Sequence, residues 1–177
     1  MDEEAMMRVL VVYASAAGST AGIAEWITGA LMARGHEVVL RSVEEVAGVA
    51  CYDAFVIGSA VHDQSWLPEG ADFLAANRRG LRGKPVWLFS VGSPGALRGP
   101  LRGWAMLEEA DVLAELLGDV TPVEHRLFTG VITPATFGKV GAFLFRAMGG
   151  RFGDFRDWAE IERWSASIAD ALAELKT

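Results

Sequence analysis

Residues Val9-Leu10-Val11-Val12-Tyr13 form an unbroken β-prone apolar run. A strand that shows one face to water alternates apolar and polar residues, whereas a strand covered on both faces has no need to. The run therefore predicts a central strand lying between two layers of helix. The next segment fits that reading. From Thr20 to Arg34 the apolar residues Ile23, Ile27 and Leu31 recur every four positions, and Gly35 stops the pattern as a helix C-cap would. The alternation continues with a strand at Val38–Leu40, a strand at Ala54–Ser59, a helix around Pro68 to Asn77 and a strand at Pro85–Val91. Gly92 to Gly103, interrupted by Pro94, Gly95, Gly99 and Pro100, reads as a long functional loop. A helix over Leu107–Leu117, a fifth strand over Val123–Ile132 and a last helix complete the pattern. Asp157 can cap that last helix, with Glu160 three residues on, and Ile161, Trp164, Ile168, Leu172 and Leu175 form its expected buried stripe.

Strands joined by helices form a mostly parallel sheet with right-handed crossovers, and such sheets bind ligands beyond the carboxyl ends of their strands. Function is expected after Tyr13, Ser59 and Ser90. The 177 residues suit a single domain, 1–177, with no internal repeat. A formal charge of −7 argues against a nonspecific grip on nucleic acid, which needs clustered Lys and Arg. Cys51 is the only cysteine, so no internal disulfide forms; it reads as a buried residue in a reducing compartment. The start Met1-Asp2-Glu3-Glu4 is acidic where a secretory leader is basic, and no apolar run approaches the ~18 residues of a spanning helix. A soluble, cytoplasmic protein is expected.

Between the first strand and the first helix lies Ala14-Ser15-Ala16-Ala17-Gly18-Ser19-Thr20, small residues that obstruct nothing. A helix N-terminus carries unpaired N–H groups and a partial positive charge, so it suits a phosphate. Ser15, Ser19 and Thr20 can add hydroxyl donors. The alternative is a plain turn in which Ser or Thr caps the helix. Other phosphate signatures fail here: Gly18 precedes Ser19 rather than the Lys of a Walker loop, and Gly18 with Gly22 does not make a three-glycine dinucleotide fingerprint. Cys51 lies elsewhere, which excludes a cysteine phosphatase loop, and Ser59 stands where a phosphate-accepting regulator needs Asp.

On these residues the loop resembles the phosphate-binding loop of flavodoxins, whose hydroxyl, two variable positions, Gly, one variable position and Thr are matched by Ser15, Gly18 and Thr20. The resemblance implies a flavodoxin-like, doubly wound α/β fold with a five-stranded parallel sheet in order 2-1-3-4-5, helices on both faces, and FMN as cofactor. Ala17 departs from the pattern where many flavodoxins place another hydroxyl, a loss worth ~1 kcal/mol. By the same resemblance Ser15, Ala16, Ala17, Gly18, Ser19 and Thr20 hold the phosphate. The isoalloxazine lies between Ser59-Ala60-Val61-His62-Asp63-Gln64-Ser65-Trp66 and Ser90-Val91-Gly92-Ser93. Trp66 either stacks on the ring or anchors the helix that begins near Pro68, and His62 either reaches the ring or lies on the surface. No side chain is expected as a catalytic acid or base and no metal is expected; the flavin carries the chemistry. One-electron flavodoxins resemble each other in a flexible peptide, often at Gly, beside the ring. Ser59 to Glu69 contains no Gly, which favours two-electron turnover over single-electron carriage.

The run Gly153-Asp154-Phe155-Arg156-Asp157-Trp158 is similar to that of flavodoxin-domain proteins related to menaquinone-dependent protoporphyrinogen oxidase, which carry an insertion before the last helix, here 133–150. The run can equally serve only to cap that helix and seat Phe155 and Trp158. The second resemblance implies an FMN-dependent oxidoreductase acting on a planar or lipophilic partner of quinone or porphyrinogen type. The rival readings are an electron carrier that docks on a redox partner protein, and a binding module whose flavin site has decayed. Between Glu124 and Asp154 there is no acidic residue, but Arg126, Lys139, Arg146 and Arg151 accompany Phe137, Val140, Phe143, Leu144 and Phe145. Such a stretch, 135–151, either packs on the domain or makes peripheral contact with an anionic membrane at its inner face.

Overall fold

The computed structural model describes residues 7–62, 65–92, 117–136, 138–147 and 149–175. The expected Ser93, Asp63 and Gln64, the loop from Ser93 to Gly103 and the helix from Leu107 to Leu116 lie outside the described residues.

Strand β1 (Arg8–Ala14) holds Val9, Leu10, Val11 and Val12 fully away from water. Its alternate side chains enter two different cores, which explains the unbroken apolar run. Val9 and Val11 join Ile23, Ala24, Ile27, Leu31, Ile161, Trp164 and Ile168 on one face. Leu10 and Val12 join Phe73, Leu74, Leu81 and Leu117 on the other. The first face is covered by α1 (Ser19–Ala33) and α4 (Trp158–Glu174), the second by α2 (Pro68–Leu81). Between them β2 (Glu37–Ser42), β3 (Ala54–His62), β5 (Val86–Gly92) and β6 (Glu124–Thr129) run parallel to β1. The order β2-β1-β3-β5-β6 is the expected 2-1-3-4-5 arrangement. It is a doubly wound α/β sheet, with the strand order reversing next to β1.

Capping follows the sequence. Gly35 takes a left-handed φ of 85° and donates its N–H to the Met32 carbonyl, closing α1. The Asp157 carboxylate accepts from the Glu160 N–H at 3.0 Å and opens α4. The stripe of α4 is buried from Ile161 to Leu172, but Leu175 is the C-cap residue and is exposed; the helix ends before its side chain can turn back to the core. Cys51 is also exposed, a correction to the buried reading. It sits in the turn before β3, where Tyr52 packs edge-on against Phe55 and leaves its neighbour outside.

Three further differences bear on the site. The expected fifth strand is broken at Gly130 into β6 and β7 (Val131–Ile132), and β7 leaves the main sheet to pair antiparallel with β8 (Gly153–Asp154). Val123, expected to begin that strand, precedes it and is exposed. A two-residue strand, β4 (Ser65–Trp66), folds back antiparallel on the end of β3. Finally, the 133–150 stretch contains a short 3₁₀ turn (Pro134–Thr136) and a helix, α3 (Gly138–Ala147).

Candidate functional site

The β1–α1 loop is built by its own backbone. Gly18 adopts φ 85°, a left-handed conformation that costs a residue with Cβ about 1–2 kcal/mol. The Ser15 hydroxyl accepts the Gly18 N–H at 3.0 Å, fixing the turn. No side chain caps the start of α1, and its first turn carries no acidic residue. The capping alternative is therefore not the one adopted: the N-terminal N–H groups are left for another acceptor. Thr20 stands in that turn, fully buried, and its Oγ1 is a buried oxygen without a hydrogen-bond partner. Buried hydroxyls are normally paired, because leaving one unpaired costs about 1–3 kcal/mol. An uncapped positive helix end beside an orphaned hydroxyl is the donor set that a phosphate monoester satisfies, so the residues present fit the phosphate end of FMN.

A cleft of about 240 Å³ opens from this loop. Ala16, Ala17 and Ser19 form one end; Ala60, Val61, His62 and Leu67 form one wall, and Val91, Gly92, Gly130, Val131 and Ile132 the other. The carboxyl ends of β1, β3 and β5 thus converge as expected. Gly130 brings β7 into place by close approach. Its N–H donates to the Gly92 carbonyl at 3.0 Å, and a Cβ added there would lie 2.7 Å from Val91 Cγ1 and 3.0 Å from Ser19 Oγ. Gly130, Val131, Ile132 and Leu67 were not anticipated. The one readable signal was a lone Gly inside a β-prone run, which often marks a bulge or a close backbone contact.

Other expected residues are placed differently. Ser59 and Ser90 are fully buried and their hydroxyls are engaged within the protein rather than with the cleft. Ser59 Oγ accepts the Leu67 N–H at 3.1 Å and donates to the Ala60 carbonyl at 2.9 Å, tying the end of β3 to the start of α2. Trp66 is only 4% exposed and is the anchor of the two alternatives, not an open stacking surface. Its Nε1–H donates to Ser90 Oγ at 2.7 Å, because a buried indole N–H needs an acceptor. His62 is exposed at the end of β3, at the cleft wall.

Ser90 Oγ also lies 2.9 Å from His125 Nε2. Burial pushes the His125 pKa down from 6.5 to about 4, so the ring is neutral at pH 7 and can accept from Ser90 at Nε2. Trp66, Ser90 and His125 thereby link β4, β5 and β6 beneath the cleft. In the unfolded chain His125 titrates near its ordinary value, so between pH 6.5 and 4 the unfolded state binds the extra proton. Stability from this group is fully present above pH 6.5 and is lost as pH falls toward 4, a change of about 3 kcal/mol. Urea melts across that range, compared with those of His125→Gln, are expected to show this slope in the parent only; parallel slopes would remove His125 from the account.

The comparisons agree with this geometry. The flavodoxin-domain family model matches residues 10–136. Similar solved structures include a flavodoxin from the domain Archaea, 20% identical, covering 94% of this chain and 99% of its own with a TM-score of 0.57. Oxidised flavodoxin 1 from Bacillus cereus is 16% identical, with 92% and 97% covered and a TM-score of 0.61. A flavoprotein in complex with FMN from Lactobacillus acidophilus is 13% identical, with 68% and 93% covered and a TM-score of 0.53. At these identities the likeness is one of fold, and the FMN expectation is in keeping with it. No curated protein matches the sequence. The family match runs from β1 through the turn after β7, over more than two thirds of the sequence, and the chain belongs to the flavodoxin-domain family.

Proposed function

We propose that this protein binds FMN and works as a flavin-dependent redox protein, with a planar or lipophilic electron partner of quinone or porphyrinogen type. The observation that carries the reading is the uncapped N-terminus of α1, whose first turn holds the buried, partnerless Thr20 hydroxyl next to Ser19 at one end of an apolar cleft. The first-turn N–H groups of α1 and the hydroxyls of Ser19 and Thr20 would hold the phosphate, and the walls formed by 60–62, 91–92 and 130–132 would flank the ring. Bound flavin supplies reversible electron transfer, and the protein's part is to position it and control access. Val61, Leu67, Val91, Val131 and Ile132 line the cleft with apolar surface and keep water from the ring end.

The partner class is supported by that apolar lining and by the Gly153–Trp158 run, whose first residues form β8 and brace the β7 wall. A second reading, electron carriage to a redox partner protein, is favoured by the net charge of −7, which can steer docking on a basic surface. Absorbance and calorimetric titration with FMN tests the cofactor. One site per chain is expected, weakened several-fold in Thr20→Val; a protein that gives neither heat nor a spectral change with millimolar FMN overturns the reading. FMN-loaded protein, chemically reduced and mixed with a lipophilic quinone, then separates the two partners: direct reoxidation supports the first, and reoxidation only through an added redox protein supports the second.

A further inference from the structure

Helix α3 turns its apolar side away from the protein. Val140, Phe143 and Leu144 are 75%, 73% and 54% exposed, and with Ala147 they fall at i, i+3, i+4 and i+7, one stripe along the helix. The opposite side holds the helix to the domain through Phe145, which is buried with Ile132 and packs on Phe152 at 5.5 Å between ring centroids. Lys139 and Arg146 flank the stripe, and Arg151 follows it. Arg146 stacks over Phe152 and Arg151 over Phe155, two rings that pack against the cluster of Phe145 and Ile132. From His125 to Gly153 the sequence has no acidic residue, in a protein whose formal charge is −7. Apolar surface of this size, set out as a helical stripe with cations on its flank, is the pattern of an interfacial helix.

We infer that α3 is a docking helix for an anionic lipid surface, with Val140, Phe143 and Leu144 entering the headgroup boundary and Lys139, Arg146 and Arg151 facing lipid phosphates. Local basic charge on an otherwise acidic protein is complementary to an anionic bilayer, and the acidic remainder orients the molecule by being repelled. The size of the patch favours lipid over a protein partner. A ten-residue helix is about 15 Å long, and its single stripe falls well short of the ~800 Å² per side of a stable protein interface. Because Phe145, on the side of α3 away from the stripe, packs with Ile132, and Ile132 lines the cleft, docking through α3 would hold the cleft wall one helix diameter, ~10 Å, from the lipid boundary. Lipid contact does not depend on flavin, so its failure and that of the FMN reading are separate.

The test is flotation of the full chain with vesicles of phosphatidylcholine alone and with about 30% phosphatidylglycerol, at about 0.05 M and about 0.5 M salt. Binding to the anionic vesicles at low salt is expected, with at least a fivefold loss at high salt and little binding to the neutral ones. A Phe143→Asp, Leu144→Asp protein is expected to lose at least tenfold in bound fraction with an unchanged circular dichroism melt, since both side chains are exposed. Phe143→Trp should give a blue-shifted emission on adding anionic vesicles. No binding to either vesicle, binding untouched by the double substitution, or a Trp emission that does not move would each overturn the proposal, and so would a patch that instead holds a protein partner in the absence of lipid.

Discussion

A Gly58→Ala protein is expected to lose about 3 kcal/mol of stability, the upper end of the usual cost of overpacking a core. Gly58 lies in the middle of β3, paired in register with Phe89 of β5, and the Phe89 ring is folded over it. A methyl group at Gly58 would sit 2.0 Å from the ring's Cζ and 2.3 Å from both Cε atoms. The ring cannot swing aside, because it is fully buried between Phe128 and Trp164, with centroids 6.3 and 6.1 Å away. For a domain of this size the loss corresponds to a fall of about 6–12 °C in Tm. A Phe89→Leu change in the same protein should return part of the loss by making room, so a double-mutant cycle is expected to show strong coupling. Additive effects would mean that the ring and the glycine do not share the space described.

The second large effect is on the ligand. Ala17→Glu is expected to weaken FMN about a hundredfold or more. Ala17 is an exposed residue of the β1–α1 loop and lines the cleft. A carboxylate about 6 Å from a phosphate dianion, at an effective dielectric of about 40, costs about 3 kcal/mol. The same carboxylate near the uncapped start of α1 favours the helix dipole, so the ligand-free protein should melt no lower than the parent. Ala17→Ser should act in the opposite direction, adding a hydroxyl donor worth about 1 kcal/mol, or roughly fivefold in affinity. Opposite signs at one exposed position are hard to produce by a change in folding. Equal affinities for all three proteins would take the phosphate out of this loop.

The sheet and its order were legible because the determinants are local and repeated. β1 is fully buried on both sides, so every residue from Val9 to Val12 reports its position. The Ser15–Gly18 turn was legible for a related reason: small residues with a Gly after an apolar strand mark a tight connection into the next helix. What was not legible depends on contacts far apart in sequence. Two residues of β4 carry no period, and the choice between the two roles of Trp66 is settled by Ser90, 24 residues on. Gly130 interrupts a run that is otherwise β-prone, and nothing local says that the chain there passes against Ser19. α3 is not legible as a helix because Gly138 and Gly141 weaken its propensity and Val140, Phe143 and Leu144 point outward, so their spacing does not mark a core.

The break at Gly130 divides one stretch of chain between two mechanical supports. Glu124–Thr129 is held in register by β5, while Val131–Ile132 hangs on the Gly153–Asp154 strand and on Phe145. The part of the cleft wall formed by Val91 and Gly92 belongs to the main sheet, whereas the part formed by Val131 and Ile132 is held from outside that sheet, through Phe145 and Gly153–Asp154. With the phosphate held as proposed by the β1–α1 loop, substitutions between residues 133 and 152 would alter what approaches the far wall while leaving cofactor affinity in place.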